Sequence, residues 1–195
     1  MRAIDLAPSN TRAYKNLAQL YVKMNLIPDA IGTYRSALRK DSSDLDVYYG
    51  LASLYKKQNE FSRAAVTYAE LIERSPDDPK GYLMAGQVEM ARANYRRAEQ
   101  LFQQATDLDP DNAEAYNALG ESFRGLGSAT DARSAFERAS QCDSTFTAPL
   151  RNLGSLLMGE GKEVIGLEYY RRAARLGDFD AIAFLRSRGI DWESK

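Results

Sequence analysis

The chain contains no histidine among its 195 residues. That excludes imidazole general bases, Ser-His and Cys-His nucleophile pairs, and histidine-ligated metals. The one cysteine, Cys142, can form neither an internal disulfide nor a thiolate cluster. No apolar run approaches the ~18 residues that a membrane-spanning helix needs. Charge of either sign is not in excess: 26 basic side chains face 27 acidic ones. No bulk positive field therefore points to nucleic acid or an anionic membrane. Glycine and proline are sparse, at 13 and 6 residues, whereas apolar residues make up 44%. A disordered chain would be poorer in apolar residues, so this one is expected to fold.

What is present is a period of 34 residues. Tyr14, Tyr48, Tyr82 and Tyr116 recur at that interval, and Leu150 holds the fifth place. The ruler cuts the chain into repeats 11–44, 45–78, 79–112, 113–146 and 147–180. The eighth place is small throughout: Ala18, Ala52, Gly86, Gly120 and Gly154. The twenty-fourth place is aromatic throughout: Tyr34, Tyr68, Phe102, Phe136 and Tyr170. Within the first repeat, Tyr14, Leu17, Ala18 and Tyr21 share one helical face, and Ala30, Thr33, Tyr34 and Ala37 share another. Each repeat thus reads as two helices. The small residues let the helix axes approach, and an aromatic ring opposite fills the gap. Asn10, Asp44, Asp78, Asn112 and Asp180 stand where N-caps are expected, with Phe146 the exception.

Both ends depart from the ruler. Residues 1–10 fit the last places of a preceding repeat, a remnant expected of an excised piece of a longer chain. Residues 181–189 read as a capping helix over the last apolar face, followed by a tail, 190–195, that carries the sole tryptophan, Trp192. The opening residues lack the apolar stretch of a signal peptide. A cytoplasmic location is expected if Met1 is the native start, and an extracytoplasmic one is open if the chain is a fragment.

Tyr82, Ala85-Gly86, Ala98, Phe102, Ala105 and Pro110, with Tyr116, Leu119-Gly120, Phe123, Ala132, Phe136 and Ala139, resemble the tetratricopeptide repeat signature. Repeat 147–180 departs most, with Leu150, Gly166 and Asp178 at three signature places. The resemblance implies an all-α, right-handed superhelical solenoid whose inner surface takes a peptide or a partner helix. It says nearly nothing about chemistry, because the signature residues are packing residues.

If places 4, 7, 8 and 11 of each first helix pack inward, places 2, 5, 9, 12 and 13 are left for a ligand. The groove set is then Arg12, Lys15, Gln19, Tyr49, Ser53, Lys56, Lys57, Lys80, Leu83, Gln87, Met90, Asn117, Glu121, Arg124 and Arg151. Basic residues concentrate toward its N-terminal half, which favours an acidic or mixed acidic-apolar partner. Tyr49, Leu83, Met84, Met90 and Met158 are expected to offer apolar anchorage. The carboxylate clamp of heat-shock co-chaperones is not matched. Lys15 and Lys80 fit its basic places, but Gln19 and Gly50 stand where asparagine is needed, and Met84 replaces a basic residue.

No motif for catalysis competes with this reading. There is no glycine-rich phosphate loop, and Gly125-Leu126-Gly127 reads as a break between helices. Cys142 is expected to be a buried, inert thiol. The function expected is a non-catalytic protein-interaction scaffold without cofactor, metal or small-molecule substrate. Nucleic-acid binding and homo-oligomeric assembly are the alternatives.

Overall fold

The computed structural model describes residues 11–193, so the expected remnant at 1–10 and the end of the tail lie outside the described residues. Among the described residues the chain is all-α, with eleven helices and no strand. It divides into two compact units, Met1–Arg92 and Ala93–Lys195.

The first unit holds α1 (Thr11–Lys23), α2 (Ile27–Lys40), α3 (Leu45–Lys57), α4 (Phe61–Arg74) and α5 (Pro79–Ala91), each packed on the next. The second holds α6 (Tyr95–Leu108), α7 (Ala113–Gly125), α8 (Ala129–Cys142), α9 (Thr147–Gly159), α10 (Glu163–Arg175) and α11 (Phe179–Ser187), likewise packed in order. First helices begin at 11, 45, 79, 113 and 147, in phase with the sequence period.

The periodic residues form the core. All five twenty-fourth-place aromatics are buried, and burial pushes the Tyr68 hydroxyl up to about 12. A Cβ added at Gly120 would lie 2.6 Å from the Phe136 ring, and one at Gly154 would lie 2.7 Å from the Tyr170 ring. Small residue and ring therefore occupy one shared volume, which sets the spacing within these two helix pairs.

The turn between paired helices repeats as well. Its central residue is Asn25, Asn59, Ala93, Gly127 or Gly161, always with positive φ, between 58° and 78°. This left-handed residue turns the chain so that the next N–H caps the first helix. Glu60 N donates to Tyr55 O, Ser128 N to Phe123 O and Lys162 N to Leu157 O, each at 2.9 Å. Ala93 fills this place at a cost of about 1 kcal/mol, which asparagine and glycine largely avoid.

Two local expectations are corrected. The last helix starts at Phe179, two residues before Ala181, and its cap is Asp178 rather than Asp180. The preceding helix ends at Arg175, and Gly177 (φ 87°) turns the chain early. Cys142 is only half-buried, because its place falls at the frayed end of a second helix. The equivalent Leu108 and Leu176 are exposed too.

The second unit closes on a cluster of Leu150, Tyr170, Ala173, Ala174, Ala181 and Leu185. Phe184 stacks on Tyr170 with ring centroids 4.1 Å apart, and Trp192 packs against the same cluster. The α11 segment and Trp192 thus cover the apolar face of α10, as a lid should.

Candidate functional site

The first helices of each unit carry the residues singled out by sequence. In the first unit these are α1, α3 and α5. The ammonium of Lys15 donates to Asp44 at 3.1 Å and to Asp46 at 3.0 Å. Burial acts to lower its pKa, but these two carboxylates outweigh it and hold Lys15 above its ordinary value. One turn-equivalent along, the Tyr49 hydroxyl donates to Asp78 at 2.6 Å, and the Lys80 ammonium sits 4.5 Å from the Tyr49 ring centroid. Burial, and next the bond to Asp78, push the Tyr49 hydroxyl far above its ordinary range.

A rule connects these contacts, and sequence reasoning missed it. In α1, α3 and α9 the fifth residue reaches the acidic residue that precedes the helix one repeat on. Lys15 pairs with Asp44, Tyr49 with Asp78, and, in the second unit, Arg151 with Asp178. The fifth place therefore ties repeats together rather than standing open for a ligand. The signal was present: an aspartate stands at residues 44 and 78, within reach of a donor in the preceding repeat.

What remains open on the first unit is a strip across α3 and α5. Lys56 donates only to Gln87, at 3.4 Å, and the exposed Lys57 has no partner among the described residues. Ser53 of α3 is exposed, Met90 of α5 is half-buried at the place equivalent to Lys56, and Gln19, on α1, is exposed as well. Arg12 is exposed and not isolated. Leu83 does not join the strip: it is buried at 4% exposure, so the expectation of an exposed leucine anchor is corrected. Gly50 adds a steric point. A Cβ there would lie 2.6 Å from the Tyr34 ring, so the asparagine of a carboxylate clamp would collide with the core.

In the second unit the predicted residues are mostly satisfied by one another. Asn152 donates to Asn117 at 2.9 Å and to Glu121 at 3.3 Å, and Arg124 donates to Asn152 at 3.3 Å. Asn117 is itself buried and donates to Glu121 at 3.1 Å. Arg151 is held by Asp178 at 2.9 Å and Asp180 at 2.6 Å. Met158 packs into the C-terminal cluster and against Gly166, so it offers little adaptable surface. Asn152, Asp178 and Asp180 were not anticipated, since they lie outside the places reserved for a ligand.

Among the described residues no group of His, Cys, Asp or Glu could hold a metal ion, and no helix is long and apolar enough to cross a membrane.

A tetratricopeptide repeat profile matches residues 2–79 and 83–145. No curated protein sequence matches the chain. Solved structures share the fold. YrrB, described as a tetratricopeptide repeat protein with an unusual peptide-binding site, superposes with a TM-score of 0.74 at 21% identity, covering 95% of this chain and 96% of that one. MamA of Desulfovibrio magneticus gives 0.77 at 17% identity, over 85% of this chain and 94% of its own. PilF of Pseudomonas aeruginosa gives 0.73 at 21% identity, over 86% and 76% respectively.

Proposed function

Because the chain belongs to the tetratricopeptide repeat family, we propose that it is a non-catalytic scaffold binding an acidic or mixed acidic-apolar peptide segment of a partner protein. The segment is taken on the first-helix face of the Met1–Arg92 unit. The observation that carries this reading is the contrast among the basic side chains. Lys15 and Arg151 are neutralised by two carboxylates each, whereas Lys56 and Lys57 have no carboxylate partner among the described residues. Adjacent unpaired ammonium groups raise the local concentration of an acidic partner and speed its approach. Met90 and the ring of Tyr49 supply the apolar contact. The peptide-binding site described for YrrB supports the same use of a like fold.

An immobilised array of short peptides, graded in acidic, basic and apolar content, tests the proposal with labelled full-length protein. Acidic-apolar peptides should be captured at low salt, and the signal should fall as salt shortens the screening length to a few Å. Equal capture of basic and acidic peptides would remove the proposal.

A further inference from the structure

The geometry points to a second docking surface, on the second-helix side of the first unit, for a short acidic helix of a partner protein. A cleft of about 620 Å³ opens there between α2 and α4, with α3 beneath. That volume is in the range of sites that take a ligand of defined shape. Leu51 and Tyr55 of α3 form its buried floor, and Val66 of α4 stands on its wall at 60% exposure. An exposed valine over an apolar floor is a place where a partner's aliphatic side chain would displace water from both.

The charges fix the kind of partner. Arg35 and Arg39 line the α2 wall one helical turn apart, and Arg63 stands across from them on α4. Arg35 has no partner among the described residues, and Arg39 donates only to the Ser36 hydroxyl, at 2.8 Å. Arg63 is paired with Glu60 at 2.7 Å and lies 5.8 Å from the Tyr55 ring centroid. Glu70, on the α4 wall, is the one carboxylate lining the cleft. The α2 wall is therefore a guanidinium pair facing an apolar trough. Guanidinium groups bind carboxylates with two parallel hydrogen bonds, which favours them as anchors over flexible ammonium groups. Two of them at i, i+4 spacing match two carboxylates at i, i+4 on a partner helix. An apolar side chain one turn away on the same helix face reaches Val66 and the floor. This surface is independent of the first-helix face: it uses other residues and recognises carboxylates by geometry rather than by diffuse charge.

The probe is a fluorescent helical peptide with two glutamates at i, i+4 and a leucine on the same face, titrated into the full chain by anisotropy. Arg35→Glu/Arg39→Glu should lower affinity by at least tenfold, and Val66→Asp by several-fold. Because the probe is itself acidic and apolar, the titrations are repeated in a Lys56→Glu/Lys57→Glu background, where the first-helix face is silenced. The arginine and valine effects should persist there, which separates this surface from the one proposed above. Arg35, Arg39 and Val66 are exposed, so circular dichroism melts of their variants should coincide with that of the parent. Undetectable binding, or binding indifferent to Arg35→Glu/Arg39→Glu, overturns the inference. So does tighter binding of a single-stranded oligonucleotide that the arginine variant abolishes, since the cleft would then be a phosphate site.

Discussion

Gly166→Ala should lower the melting temperature by roughly 2–8 °C, although alanine is the better helix former by about 1 kcal/mol. A Cβ at Gly166 would meet Met158 and lie 2.7 Å from the carbonyl oxygen of Gly154. A methionine can rotate away, but a backbone carbonyl cannot. The α9 and α10 axes must separate, and overpacking of this kind costs about 1–3 kcal/mol or more. Gly32→Ala is the opposite case, since nothing lies within 4 Å of a Cβ added there. The same substitution should raise stability by up to about 1 kcal/mol at that position. Paired thermal melts decide the matter. If both variants move in the same direction, the close approach of α9 and α10 is wrong.

Asp178→Ala should cost about 2–3 kcal/mol near neutral pH, from the lost cap together with lost charge-assisted bonds. The Asp178 carboxylate accepts from Ala181 N at 2.8 Å, from the Thr147 hydroxyl at 2.6 Å and from Arg151 at 2.9 and 3.0 Å. Burial acts to raise its pKa, but these donors prevail and hold it below the usual carboxylate range. A folded value below the unfolded one, about 3.9, means that the charge stabilises fully above that pH. The contribution is lost as pH falls through the folded value. The stability gap between parent and Asp178→Ala should therefore narrow in acid. Asp178→Asn keeps a good capping group and should fall between the two at neutral pH. Urea melts at several pH values measure the gap. One that stays constant into acid would mean that the charge contributes nothing.

These two predictions concern residues that the sequence marked only as departures. Gly166 and Asp178 stand where the repeat signature has other residues, and a periodic reading can register that mismatch without explaining it. Their roles depend on the termination of α10 and on a carbonyl of another helix, which no spacing rule encodes. The regular residues were far more legible. Gly120 opposite Phe136 and Ala18 in the buried face follow from the 34-residue period alone, because each repeat meets neighbours built alike. The ligand face was legible only in outline. Counting places left over after packing assigned Lys15, Tyr49 and Arg151 to a ligand, yet each spends its polar group on the next repeat. Leu83 failed for a simpler reason: a helix face defined by five places includes one that burial reclaims. Lys56 and Lys57 differ from Lys15 and Arg151 in having no carboxylate partner among the described residues.

The revised geometry also changes how the face should be probed. Tyr49→Ala would remove both the ring and the bond to Asp78, so Met90→Ala is the cleaner variant for anchorage, and Tyr49→Phe, which keeps the ring and loses only that bond, is the control. Met90→Ala should speed dissociation more than it slows association, whereas Tyr49→Phe should leave both rates close to those of the parent.

The most direct measurement of the central claim is the salt dependence of association for the best acidic-apolar peptide, followed by stopped-flow fluorescence. With the parent chain the rate should fall steeply as salt rises, because exposed charges steer the encounter and are screened. With Lys56→Glu/Lys57→Glu the rate at low salt should drop about tenfold or more and become nearly flat with salt, at an unchanged melting temperature. Identical rates and salt slopes in parent and variant would contradict the claim that the first-helix face of the Met1–Arg92 unit receives the partner.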